Sequence, residues 1–172
     1  IVFLWDSGEE QGLWGVRWFV QQPPVPLRSI VAHINVDMIG ASRATTAPDP
    51  TTKPVTARNE VYVLGPKVLS AKVDTLLASV NDAYHESDTP ESEFFYPRTD
   101  AGPFLERGIL AIGFTTGNHE RYHLPSDEAR FLDPVQMHYL ARTVFASLWA
   151  LADVAERPAI DRPMPASVPA YK

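Results

Sequence analysis

Glu9 and Glu10 stand side by side in the stretch WDSGEEQGLWG, directly after the apolar run Ile1 to Trp5. Two adjacent carboxylates repel each other and push one toward protonation unless a cation relieves them. The same arrangement recurs along the chain. The run SIVAHINV leads straight into Asp37, and the run Ile109 to Thr115 leads into a loop holding His119, Tyr122 and His123. Oxygen and imidazole donors without sulfur suit zinc, manganese or iron. Neighbouring residues at a strand exit project differently, so one Glu can bind a metal while the other handles the proton of a metal-bound water.

Each element has an ordinary reading as well. A Glu pair is commonly solvated surface, or favours the first turn of the following helix. Asp after a strand is often a turn residue or a helix cap. His119 and His123 have the i, i+4 spacing of a helical zinc pair, but Gly117 and Pro125 argue against a helix, which leaves His123 as the candidate. His33, His85 and His138 fall within or beside strands and helices, where structural roles are expected. It is the coincidence at three strand ends that favours a metal.

The elements that must position these groups alternate. Ile1 to Trp5 reads as a buried strand, Gln11 to Gln21 as a helix stopped by Pro23-Pro24, Ser29 to Val36 and Glu60 to Leu64 as strands, and Pro66 to Tyr84 as a helix. A short helix over Asp100 to Arg107 ends at Gly108, the strand Ile109 to Thr115 follows, and Asp133-Pro134 caps a long helix to about Ala155. The loops Ala41 to Arg58 and Glu86 to Pro97 read as functional rims. This pattern predicts an α/β fold, a three-layer α/β/α sandwich with a mostly parallel or mixed central sheet, whose ligands gather at the carboxyl ends of the strands. Residues 1–156 are expected to form the domain, and the Pro-rich residues 157–172 a tail or linker.

Composition narrows the function classes. The 172 residues are 45% hydrophobic, enough for one sizeable core, and the net charge of -6 comes without a basic run, so nucleic acid is not an expected partner. No apolar stretch approaches the roughly 18 residues needed to span a bilayer. The chain has no cysteine, which removes disulfides and thiolate metal sites. It starts at Ile1, inside an apparent strand, and is read as a fragment lacking its N-terminal strands.

WDSGEEQGLWG, INVDMIG, RTDAGPFLERGILAIGFTTG and YHLPSD, in this order, resemble the catalytic domain of the co-catalytic zinc aminopeptidases, the superfamily that includes glutamate carboxypeptidase and glutaminyl cyclase. The resemblance covers about residues 1–155. It implies that Glu9 is the general base, that Glu10, Asp37 and His123 are zinc ligands, that Tyr122 helps stabilise the tetrahedral intermediate, and that Arg98 faces substrate. It implies two zinc ions per complete domain, with a further His and a bridging Asp supplied from a segment ahead of Ile1. The chain by itself is then expected to be inactive and to bind zinc weakly. Where many members read Ser-Asp-His, this chain reads Thr99-Asp100-Ala101, which bears on pocket shape and not on the metal. The expected function is aminopeptidase cleavage of a peptide substrate, in a periplasmic or secreted location. The rivals are a glutaminyl-cyclase-like acyltransferase with one zinc and a catalytically inactive binding domain of the same fold.

Overall fold

The computed structural model describes residues 1–49, 53–80, 84–86, 98–166 and 168. The helices are α1 (Trp14–Gln21), α2 (Pro66–Leu69), α3 (Ala71–Val80), α4 (Ala101–Leu105) and α5 (Pro134–Ala152); the strands are β1 (Ala32–Val36), β2 (Val61–Leu64), β3 (Tyr84–Glu86) and β4 (Leu110–Thr115). They form a mixed sheet of order β1-β4-β2-β3. β1 and β4 are parallel, in the register Ala32↔Leu110 to Val36↔Phe114, and β2 runs antiparallel to β4 but parallel to β3. α1 packs on α4, which packs on β1 and β4, and α3 packs on α2 and α5.

Every residue of β4 except Thr115 is buried, as expected of a central strand covered on both faces. Around it gather Val16, Phe19, Val61, Val63, Leu69, Leu77, Phe104 and Leu140. The topology decides where the chemistry sits. Parallel β1 and β4 end at the same sheet edge, and antiparallel β2 begins there. The connection from β1 to β2 therefore starts and ends at that edge. The helices α1 and α4 each precede a strand that starts at the opposite edge, so their N-terminal ends, with Glu9-Glu10 and Arg98 to Asp100, return to the first one.

Three elements depart from the sequence expectation. Residues 1–5 form no strand: their backbone has no ladder partner among the described residues, and Ile1, Phe3 and Trp5 are exposed while Leu4 packs on the core. An apolar run becomes a strand only beside another strand. The first helix begins at Trp14 because Gly12 (φ 107°) and Leu13 (φ 62°) adopt left-handed backbone and close a set of turns over residues 8–13. The helix expected to reach Tyr84 is interrupted at Ser70, which is extended, and Tyr84–Glu86 pairs with β2 instead. At Ser70 the Leu69 carbonyl accepts the N–H groups of Asp161 and Arg162, while the Asp161 carboxylate accepts the Ala71 N–H at 2.9 Å and the Ser70 hydroxyl at 3.2 Å. A residue 90 positions away thus satisfies the orphan donors at the start of α3.

The segment read as a tail begins with Arg157, whose guanidinium donates to the carbonyls of Arg28 and Ile30, and continues with Ile160 and Val168 against the core. The expected rim loop Glu86 to Pro97 lies, from residue 87 on, outside the described residues. Among the described residues no helix is long and apolar enough to cross a membrane.

His33 has the structural role expected of it. Its ring stacks on Phe104 at 4.1 Å, Nε2 is buried without a partner among the described residues, and burial pulls its pKa down to about 4. The unfolded chain therefore takes up a proton first as pH falls. Stability that is complete above about pH 6.5 is lost down to about pH 4, by roughly 3 kcal/mol. His33→Leu should lack this part of the acid decline. Urea midpoints for both proteins at about pH 7 and pH 4.5 check it, and an equal drop in the two would contradict the buried neutral imidazole.

Candidate metal centre

The turns over residues 8–13 turn the Glu pair into the sheet edge. The Trp14 N–H donates to the Gly8 carbonyl at 3.2 Å and the Leu13 N–H to the Glu9 carbonyl at 2.9 Å. Gly15 lets this turn sit against the start of α1, because a Cβ there would meet Asp6 Cβ at 2.6 Å and the Ser7 backbone at 2.7 Å. Asp37 continues the β1 ladder by one residue, its N–H donating to the Phe114 carbonyl at 3.1 Å. That bond holds its carboxylate at the mouth of the two parallel strands.

His123 comes from a tight turn beyond β4. The Tyr122 N–H donates to the His119 carbonyl at 3.0 Å, the Leu124 N–H to the Arg121 carbonyl at 2.9 Å, and His123 itself has φ 59°. This left-handed residue reverses the chain and carries the imidazole to Glu10, with Nε2 to Oε1 at 2.5 Å. The Tyr122 ring lies on the His123 ring, centroids 3.8 Å apart and planes 23° from parallel. His119, four residues earlier, is buried instead and accepts the Arg121 N–H on Nδ1 at 3.2 Å.

Glu9, Glu10, Asp37, Arg98, Tyr122 and His123 all line one cavity of about 1000 Å³. Its electrostatics are those of crowded carboxylates. Burial raises Glu9 to about 7, with Glu10, Asp100 and Asp37 adding repulsion and His123 opposing it. Burial also raises Asp37, against a backbone N–H that favours its charge, and Glu10 adds to the rise. The Tyr122 phenol is raised by burial, then by Glu10, while Arg98 works the other way.

The sequence reading passed over Asp100. It lines the same cavity, its Oδ1 is buried without a partner among the described residues, and burial followed by Asp6 and Asp37 raises it to about 6. An acidic residue at the N-terminal end of a helix that returns to the site's edge was the available signal.

The donor chemistry fits a divalent cation of the zinc type. Oxygen and imidazole donors face each other, and several carboxylates are held above their ordinary range by one another and by burial, a penalty that a cation removes. The described residues supply this set only in part. Glu10 and His123 are in contact and Asp37 is coupled to both, but no group of three or more His, Asp or Glu side chains among the described residues is close enough to hold an ion.

Three solved structures share this architecture. The zinc aminopeptidase BSAP of Bacillus subtilis superposes with a TM-score of 0.63 at 18% identity, covering 91% of this chain and 37% of its own. The LapA aminopeptidase of Legionella pneumophila gives 0.63 at 21% identity, covering 88% and 39%. An aminopeptidase from Aneurinibacillus sp. strain AM-1 gives 0.57 at 16%, covering 92% and 34%. The present chain thus spans well under half the length of each. A search of curated protein sequences found no match. The family model of Peptidase family M28 matches residues 1–148, and with most of its length inside that match the chain belongs to Peptidase family M28.

Proposed function

We propose that this chain supplies the general base and part of the metal site of a zinc-dependent exopeptidase, an aminopeptidase that hydrolyses the N-terminal bond of a peptide. The observation that carries the reading is the direct contact of Glu10 with His123, in a cavity shared with Glu9 and Asp37. Glu10, Asp37 and His123 would hold zinc. A His and a bridging Asp from outside these residues would complete a site for two ions. When bound, zinc supplies Lewis acidity toward the scissile carbonyl and toward water.

The chain's own residues do the rest. Glu9, in the same cavity, takes one proton from the attacking water and passes it to the departing amine. Tyr122, held against His123 by the ring stack, presents its hydroxyl as a donor to the oxygen that gains charge. Arg98 at the rim orients the substrate. A periplasmic or secreted location remains part of this proposal.

The test uses the full-length protein with zinc and two aminoacyl p-nitroanilides, one with a free amine and one N-acetylated. The free-amine substrate should be hydrolysed, the acetylated one should not, and a chelator should stop the reaction until zinc is restored. Cyclisation of an N-terminal Gln peptide without hydrolysis would favour the acyltransferase. No turnover of any of these with zinc bound would favour an inactive binding domain.

A further inference from the structure

Beside the cavity, Arg121 links its own turn to Thr46 and to Phe131. Its Nη1 donates to Thr46 Oγ1 at 2.6 Å, its guanidinium lies 3.8 Å over the Phe131 ring, and its Nη2 is 2.8 Å from Glu120. Thr46 and Phe131 both line the cavity. Two residues further along the chain is His123, on the tight turn that carries it to Glu10.

The stretch before that turn is already fastened to the long connection between β1 and β2. The Thr56 N–H donates to the Thr116 carbonyl at 2.8 Å, Asn118 N–H to Lys53 at 2.8 Å, Asp49 N–H to Asn118 at 3.2 Å, and Glu120 N–H to Ala47 at 3.1 Å. Gly117 permits the crossing, since it has φ 81° and a Cβ there would meet the Pro54 carbonyl at 2.5 Å. These backbone bonds stop at Glu120. Beyond it, among the described residues, the turn's backbone bonds run only within the turn itself, to the His119 carbonyl and Nδ1 and to the Arg121 carbonyl, and His123 is exposed. Among the described residues Arg121 ties this turn by its side chain to both Thr46 and Phe131.

We propose that Arg121 is a positioning residue for the metal centre, setting the His123 imidazole against Glu10 by clamping its turn to Thr46 and Phe131. This inference rests on the zinc reading of the same site. Arginine suits the task because its planar guanidinium stacks on a ring while donating in its own plane, which an ammonium cannot do. Groups that orient a ligand without touching the metal typically change metal affinity or activity about 10- to 100-fold when removed.

The experiment cuts the clamp from two sides in the full-length protein, with Arg121→Met and Thr46→Val, and compares Arg121→Lys. Zinc affinity is measured by competition with a chromophoric chelator. The ring-proton resonance of His123, assigned by its loss in His123→Gln, is followed in zinc-free protein. Arg121→Met and Thr46→Val should each raise the zinc dissociation constant about 10- to 100-fold, lower kcat with KM little changed, and move the His123 resonance in the same direction. Arg121→Lys should recover only part of the loss. Unchanged zinc affinity and an unchanged His123 resonance in both variants, with only Tm lowered, would show that Arg121 merely stabilises the fold and would overturn the proposal. A parent protein that bound no zinc would count against the metal reading instead, and the His123 resonance in zinc-free protein would still decide the clamp.

Discussion

Glu9→Gln in the full-length protein is expected to lower kcat by about 10² to 10⁴, roughly 3 to 5 kcal/mol of barrier, while zinc stays bound. The amide keeps the shape of the side chain but cannot accept and release a proton. Metal retention follows from the division of labour in the Glu pair. It is Glu10, not Glu9, that touches His123, whereas Glu9 is the less exposed of the two and is raised to about 7 by burial and by Glu10, Asp100 and Asp37. A carboxylate beside the metal but not bound to it is free to take a proton and return it. The effect should fall on kcat with KM little changed, as for an interaction made in the transition state. Glu10→Gln should instead weaken zinc binding, with activity partly restored by excess metal. Zinc analysis beside steady-state kinetics separates the two. Loss of zinc in Glu9→Gln, with full occupancy and failed turnover in Glu10→Gln, would exchange the roles.

The convergence of Asp37 and His123 was legible in the sequence because it depends on strand exits, whereas the Glu pair, expected at a third exit, follows a segment that forms no strand and is placed by the turns before α1. Asp37 follows an apolar run, His123 lies in a loop after another, and parallel pairing of β1 with β4 brings the two exits together. What was not legible depends on distant partners. Asp100 acquires its charge neighbours only when α4 returns to the edge, the break at Ser70 depends on Asp161 from the other end of the chain, and Tyr84–Glu86 becomes a strand because β2 offers a parallel edge. The run Ile1 to Trp5 failed in the opposite sense. Its apolar side chains match a buried strand, but a strand requires a strand beside it, and the described residues place no such neighbour there. Local pattern reports what a segment can do, while the partners decide what it does.

Asp133→Ala should be among the most damaging changes outside the cavity, lowering stability by about 2 to 4 kcal/mol. The Asp133 side chain is fully buried, and its two oxygens serve different structures. Oδ1 accepts the Val135 and Gln136 N–H groups at 3.1 and 3.3 Å, which caps α5; Oδ2 accepts Arg58 Nε at 2.7 Å and the Ser42 hydroxyl. Removing the carboxylate loses a cap worth about 1 kcal/mol and leaves a buried hydroxyl and a guanidinium without their acceptor. Asp133→Asn keeps the cap on its single oxygen but turns an amide N–H donor toward Arg58 and Ser42, so it should cost less than alanine yet still about 1 to 3 kcal/mol. The Arg58 hydrogen bond, first among its partners, holds the Asp133 carboxyl down at about 2, below its ordinary 3.8. Its stabilising charge is therefore fully present above about pH 4 and is lost as pH falls through 2, so the penalty of either variant should be constant from neutral pH down to about pH 4. The loss should also reach the cavity. The Asp133 N–H holds the Gly40 carbonyl at 2.8 Å, and Gly40, Ala41 and Leu132 all line the cavity, so loosening this corner frees part of its wall. Urea unfolding followed by tryptophan fluorescence, together with KM measured well below the variant's Tm, checks both effects. If Asp133→Ala unfolded at the parent's urea midpoint, the cap and the Arg58 pair would be solvent-exchanged contacts of little worth, and the cavity wall would have to be held by the backbone alone.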